Sequence, residues 1–164
     1  MTNKTITRKL VAINQRINHT ANIFGVHFPM RFEPAVYRIA GMIAPEYSGG
    51  YWDFYALSNG GFYMAPDSDK TFQVICENGF ERKLSGDALG ITVCLYAYSH
   101  LSFSGNQELA GICAQQYHWL RDYMLEHNEA HLAASGHVLR TDAQVLQAAG
   151  YLCAVMLLSG SASI

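Results

Sequence analysis

Charge is scarce in this chain. Only 15% of its 164 residues are Asp, Glu, Lys or Arg, against about a quarter in an ordinary soluble domain. Eleven basic and thirteen acidic residues leave a net charge of −2. That is far too little acid to imitate a DNA duplex, and it gives no broad basic face of the kind a duplex-binding protein presents. Proline is sparse too, with four in all, and half of the residues are hydrophobic; disorder is excluded over most of the length. The four cysteines, Cys76, Cys94, Cys113 and Cys153, form no CxxC pair and sit mostly among apolar neighbours. Free thiols in a reducing compartment follow, rather than a disulfide framework. The longest apolar run, residues 148–158, is eleven residues, short of the ~18 needed to cross a bilayer. The N-terminus lacks an apolar leader segment, so a soluble, cytoplasmic protein is expected, with no membrane partner. GxSxG, Walker and GxGxxG patterns are all missing, and nothing else in the chain signals a cofactor.

What the chain does have is an aromatic block at residues 45–67, PEYSGGYWDFYALSNGGFYMAPD. Residues 51–57 suit a pleated, half-buried surface. Asn59-Gly60 then separates them from a second short run at residues 62–65. Asn-Gly between such runs marks a two-residue hairpin loop, because both central residues of a type I′ turn take positive φ. With that loop, Leu57 pairs with Phe62, Ala56 with Tyr63 and Tyr55 with Met64. One face then carries Tyr51, Asp53, Tyr55, Leu57, Phe62 and Met64, the other Trp52, Phe54, Ala56, Tyr63 and Ala65. Neither face is polar, which places the hairpin in the centre of a sheet. Asp53 is its one charged group, either a functional carboxylate or an acid held by a Tyr hydroxyl or an Arg.

The flanking segments supply helices and a second hairpin. Ile6, Leu10, Ile13 and Ile17 recur at helical spacing, with Lys4, Arg8, Lys9 and Arg16 between or beside them, so residues 5–18 read as a basic amphipathic helix. Glu33-Pro34 opens a short helix to about Ile43. Residues 72–76 and 80–84 read as a hairpin around Asn78-Gly79 whose charges suit the edge of the same sheet. Ser85 caps a helix over residues 86–103 that is apolar almost all round and therefore buried. Residues 106–126 are amphipathic, and Gly136 breaks that pattern. Residues 142–158 form a last apolar helix that needs either the domain core or a second copy of the chain, which leaves a homo-oligomer open. These elements predict one α+β domain over residues 1–164: a small antiparallel sheet built from two hairpins and packed with several α-helices.

Two spellings suggest metal chemistry. Pro66-Asp67 followed by Glu81-Arg82-Lys83 matches the PD…ExK of metal-dependent nucleases, in which two carboxylates share a cation. A turn at Asn78-Gly79 sets Glu81 across from Cys76, nine residues beyond Asp67, which argues against a shared ion. His127-Asn128-Glu129-Ala130-His131 misplaces the glutamate of HExxH by one and has no clear third ligand. No metal ligand and no catalytic residue is assigned from these patterns.

The block Tyr47-Ser48-Gly49-Gly50-Tyr51-Trp52, then Phe54-Tyr55 and the run from Leu57 through Gly61 to Pro66, resembles the antirestriction proteins of the ArdB/KlcA family. So do Phe24-Gly25-Val26-His27-Phe28, Ser85, Asp87-Ala88, Gly90-Ile91, Tyr117-His118 and Leu120-Arg121-Asp122-Tyr123. The similarity covers about residues 24–130; Asn128 departs from it, as does the length beyond Gly136. The resemblance implies a small α+β, non-enzymatic protein of plasmids, genomic islands or other mobile elements. Such a protein shields incoming DNA from host type I restriction-modification machinery, its partner directly or indirectly, without mimicking DNA. It carries no catalytic set, so the candidates for contact are chosen by residue type: Tyr47, Tyr51, Asp53, Asn59, Asp67, Arg121 and Asp122, aromatic anchors near a charged rim. The alternatives are an enzyme acting on nucleic acid and direct DNA binding through the helix bearing Lys4 and Arg16.

Overall fold

The computed structural model describes residues 4–75 and 81–134. Strand β1 (Arg8–Leu10) leads through a 3-10 turn (Ile13–Gln15) into α1 (Arg16–Phe24), a π-helical turn (Phe28–Phe32) and α2 (Glu33–Ile43). Strands β2 (Trp52–Leu57), β3 (Phe62–Pro66), β4 (Thr71–Ile75) and β5 (Glu81–Ser85) follow, then α3 (Gly86–Leu101) and α4 (Gln107–Ala134). The class is α+β, as the sequence predicts. Ser85 does cap α3, its hydroxyl accepting from Ala88 N–H, and α2 has the predicted bounds. The Asn78-Gly79 turn, Gly136 and the apolar segment 142–158 lie outside the described residues.

Three expectations are corrected. Residues 5–18 are not one helix: residues 8–10 pair antiparallel with β2, and the helix starts only at Arg16. The outer edge of β2 would otherwise present unpaired backbone groups. Val11 N–H donates to Phe54 C=O at 2.8 Å and Ser58 N–H to Thr7 C=O at 2.8 Å, and this pairing outweighs the local helical period. Ile13 and Ile17, which that helix would have packed inward, are instead 73% and 81% exposed.

The β2–β3 register is also shifted by one residue. Ala56 faces Phe62, Tyr55 faces Tyr63 and Phe54 faces Met64. The loop has three residues, not two: Gly60 N–H returns to Leu57 C=O and Leu57 N–H donates to Gly61 C=O. Gly60 alone takes positive φ, +101°, the pattern of a type I turn closed by a glycine bulge. Asn59 avoids positive φ because its side chain is engaged elsewhere. Its Oδ1 accepts from Gly61 N–H, and its Nδ2 donates to Trp119 C=O of α4. The shift puts Tyr55 and Tyr63 on one face, stacked at 5.0 Å, and Phe54 and Phe62 on the other, edge to face at 5.5 Å.

The third correction concerns the second hairpin. β4 and β5 form a separate two-stranded sheet, while β1, β2 and β3 form the main one. Glu81 faces Ile75, again one residue from the expected Cys76. β4–β5 cannot join β3 because α3 already lies along that edge. Cys94 Sγ lies 3.4 Å from Met64 N and 3.5 Å from Met64 O, and Tyr98 Oη donates to Phe62 C=O at 2.6 Å. Pro66, at the end of the same edge, has no N–H to satisfy. Gly90 permits the approach: a Cβ there would lie 2.4 Å from Ala65 Cβ and 2.5 Å from Met64 O.

The other face of the sheet packs on the N-terminal helices. Phe24, Phe28 and Phe32 surround Phe62, with ring centroids 5.7, 5.8 and 6.4 Å from it. Tyr98 stacks on Phe32 at 4.7 Å, joining α3 to the same cluster. All five residues of β3 are buried, so this strand is the middle of the core.

Gly90→Ala forces a methyl into backbone and is expected to cost about 2–3 kcal/mol or more, lowering the urea midpoint. Gly111→Ala in α4, with open space around it, leaves stability unchanged or raises it by up to about 1 kcal/mol. Equal effects at both positions would contradict the packing described. Burial pushes the Cys94 and Cys113 thiols up to about 12. Unfolded thiols lose protons near pH 8.5, so above that pH the folded chain holds more protons than the unfolded one. Stability is full below pH ~8.5 and falls as pH rises toward 12, by about 1.4 kcal/mol per pH unit for each thiol. Urea unfolding measured between pH 7 and 11 checks this.

Candidate functional site

The seven residues chosen from the sequence divide between the two ends of the β2–β3 hairpin. Tyr47, Tyr51, Asp53 and Asp67 gather at its open end, where Asp67 N–H donates to Tyr51 C=O. Asn59 lies at the turn, about 20 Å away along β2. There it binds α4 through Trp119 C=O; half-buried Arg121 and exposed Asp122 follow on that helix. The hairpin does not bring the seven into one surface.

At the open end, Trp52 Nε1 donates to Tyr47 Oη at 2.9 Å, with the two rings edge to face. Tyr37 meets the same indole edge to face and donates its hydroxyl to Glu33. Asp53 pairs with Arg16 at 3.7 Å, both side chains mostly buried. The Arg16 guanidinium lies over the rings of Phe54, at 4.3 Å, and Tyr51, at 5.0 Å. Asp53 is thus held by an arginine, and Arg16 is not a free basic group. Tyr51 stays half exposed beside it.

Next to this pair a groove of about 580 Å³ opens between α1 and the π-helical turn. Ile17, Ala21, Val26, Phe28 and Phe54 line it, with Arg16 and Glu33 among them. Its shape follows from the local chain. α1 stops at Gly25, φ +59°. Glu33 N–H then reaches back five residues to Phe28 C=O; such π turns occur often at functional sites. Phe28 and Phe32 are thereby buried and Met30 and Arg31 exposed. Ile17 and Val26 remain 81% and 72% exposed on the groove. None of these groove residues is among the seven contact candidates chosen from the sequence. The helical period hid them by assigning Ile13 and Ile17 to a buried stripe.

A second polar cluster escapes the sequence altogether. Arg8 donates to Tyr63 Oη at 2.6 Å and to Asp87 Oδ1 at 2.5 Å, and Tyr63 donates to the same Asp87 oxygen at 2.8 Å. Burial, with the Asp87 charge adding to it, pushes the Tyr63 hydroxyl well above its ordinary range, so it keeps the proton it donates. Burial works against the charge on Arg8, but Tyr63 and Asp87 more than offset it. Its guanidinium also covers the Tyr55 ring at 4.5 Å. β1, β3 and α3 are locked together here. α4 adds a clasp: Glu126 Oε1 accepts from Ile6 N–H at 2.8 Å, and His127 Nε2 lies 2.8 Å from Ile6 O. Arg8 and Arg16 are both committed to internal pairs, so the basic helix offered as the alternative DNA-binding element does not exist in that form.

Asp67 and Glu81 do not share a site. Asp67 precedes the Thr71 end of the second hairpin, whereas Glu81 faces Ile75 at its other end, about 13 Å further on. Among the described residues, no three side chains of metal-ligating type gather in one place. The side chain of His131 is outside what is described.

Arg16→Met removes the partner of a mostly buried carboxylate and two ring contacts, at an expected cost of about 1–3 kcal/mol. Asp53→Asn in the same background costs less than in the native chain, because the pair is already broken. A double-mutant cycle by urea unfolding, with a coupling of about 0.5 kcal/mol or more, checks it.

The family described as "Antirestriction protein" matches residues 45–135. The antirestriction protein KlcA of Escherichia coli is 37% identical over 127 residues, covering 76% of this chain and 89% of that protein. YafX, an uncharacterized protein of Escherichia coli strain K12, is 40% identical over 122 residues, covering 71% and 78%. A solved structure from work on the KlcA and ArdB proteins aligns with a TM-score of 0.71 and 32% identity, covering 89% of this chain and 99% of that one. Those proteins are described as having a novel fold and antirestriction activity against type I DNA restriction systems in vivo but not in vitro. By sequence and by fold, the chain belongs to the antirestriction protein family.

Proposed function

We propose that this protein protects incoming DNA from host type I restriction enzymes, and that it does so by binding a protein rather than by catalysis. The family supplies the antirestriction role. The observation that carries the mode of action is the groove between α1 and the π-helical turn. A buried aromatic core fixes its walls, yet Ile17 and Val26 stand 81% and 72% exposed on it. Exposed apolar side chains around a concavity, rimmed by Arg16, Asp53 and Tyr51, suit an anchored protein contact. Tyr51 and Asp53 join this surface through Arg16, whereas Asp67 lies toward Tyr55 on the other face of the sheet. Tyr47 supports it through Trp52, while Asn59, Arg121 and Asp122 belong to the α4 side. Activity of the solved relatives in vivo but not in vitro favours a route through a further cell component, which the groove would engage.

In a host with a type I system, expression of this protein is expected to raise the plating of unmodified phage. Ile17→Asp and Val26→Asp place a charge in the contact without touching the core. Loss of a hot-spot contact of about 2 kcal/mol weakens binding roughly thirtyfold, so both variants should lose most protection at unchanged melting temperature. Full protection by both would place the contact elsewhere. No protection by the native protein would remove the role itself, and protection at amounts far below those of the restriction enzyme would favour a catalytic mode.

A further inference from the structure

The helical segment formed by the π turn and α2 separates the groove from a second cavity, of about 260 Å³. Arg31 and Arg38 line this cavity from the helical segment, and His100 and Leu101 line it from the last turn of α3. Met30 and Pro34 complete much of the wall. Three of its lining residues are basic and none is acidic, in a chain whose net charge is −2. Arg31, Arg38 and His100 are all exposed. None has an ion pair among the described residues, in contrast to Arg8 and Arg16, each joined to a carboxylate. The acid nearest in sequence, Glu33, lines the other groove and accepts the Tyr37 hydroxyl.

Two guanidinium forks and an imidazole therefore line one concavity, and among the described residues no carboxylate lines it to neutralise them. A guanidinium offers several N–H donors in a fixed plane, which match the oxygens of a tetrahedral oxyanion two at a time. A terminal phosphate has three free oxygens and can meet both forks and the imidazole; a backbone phosphodiester has two and meets them with the same guanidinium donors less completely. The wall of Met30, Pro34 and Leu101 gives apolar contact to whatever carries that group. We propose that this pocket binds a phosphate group, carried by a nucleic-acid backbone or by a free nucleotide. It is distinct from the groove assigned to the protein contact and does not depend on that assignment.

The full-length protein is titrated with inorganic phosphate, adenosine 5′-monophosphate and a labelled twelve-nucleotide single strand. His100 ring resonances and fluorescence anisotropy are the readouts. Phosphate is expected to shift the His100 resonances saturably, and chloride at matched ionic strength is not. Arg38→Ala should weaken phosphate binding about tenfold or more. The Arg31→Ala/Arg38→Ala double variant should abolish it without moving the melting temperature, since both side chains are exposed. Arg38→Lys keeps the charge but not the fork and should recover only part of the affinity. If the strand binds tighter than the mononucleotide, with a salt slope that the double variant reduces by roughly 0.7, the source is a nucleic-acid backbone. If the mononucleotide binds as tightly as the strand, the source is a free nucleotide. No saturable response to phosphate, the same response to chloride, or an unchanged response in the double variant would overturn the proposal.

Discussion

The structure depends on a helix lying along the open edge of a strand. β3 is buried on both faces and bonded to β2 on one side, so its other side must be satisfied by something that is not a strand. α3 does this with two side chains, the Cys94 thiol beside Met64 and the Tyr98 hydroxyl on Phe62, while Gly90 lets the helix backbone come close enough. A helix used in this way has to be apolar nearly all round, because sheet, α2 and α4 all press on it. It also closes the sheet at three strands and turns the second hairpin away into a separate sheet.

A rigid core is what allows apolar side chains to stand exposed without the fold adjusting to cover them. The Phe24, Phe28, Phe32, Phe62 and Tyr98 rings fix where α1 and the π turn sit. Ile17 and Val26 are left on the rim of a cavity whose walls cannot collapse. On the far side of α2 the same segment displays two arginines that have no ion pair among the described residues. The two surfaces differ in chemistry because one run of backbone shows Glu33 to one side and Arg31 and Arg38 to the other.

Much of this was legible in the sequence where local chemistry and tertiary packing agree. Ser85 as a cap, Glu33-Pro34 as a helix start and the unbroken apolar pattern of α3 each say locally what the fold then requires. Agreement fails where distant groups decide. The Asn59 amide is claimed by Trp119 C=O, sixty residues away, and this selects a three-residue loop over the two-residue loop that Asn-Gly favours alone. One residue of slip then exchanges the partners across the whole hairpin. The β1 segment reads as helix because its isoleucines are spaced for one, and only the open edge of β2 makes it a strand. The Arg8–Tyr63–Asp87 cluster joins positions 55 and 79 apart, and no spacing rule reaches that far. The candidate contact residues were chosen for type, and type does not reveal that Asp53 is tied to Arg16 while Ile17 is free.

The clasp of Glu126 and His127 on Ile6 spans 120 positions. During synthesis the segment that leads into the first strand therefore lacks its clasp until the last described helix has left the ribosome. At about 5–20 residues per second that delay is roughly 6–24 s. Through this interval the sheet face carrying Tyr63, which Tyr123 of α4 covers, stays open, which is where a chaperone would act.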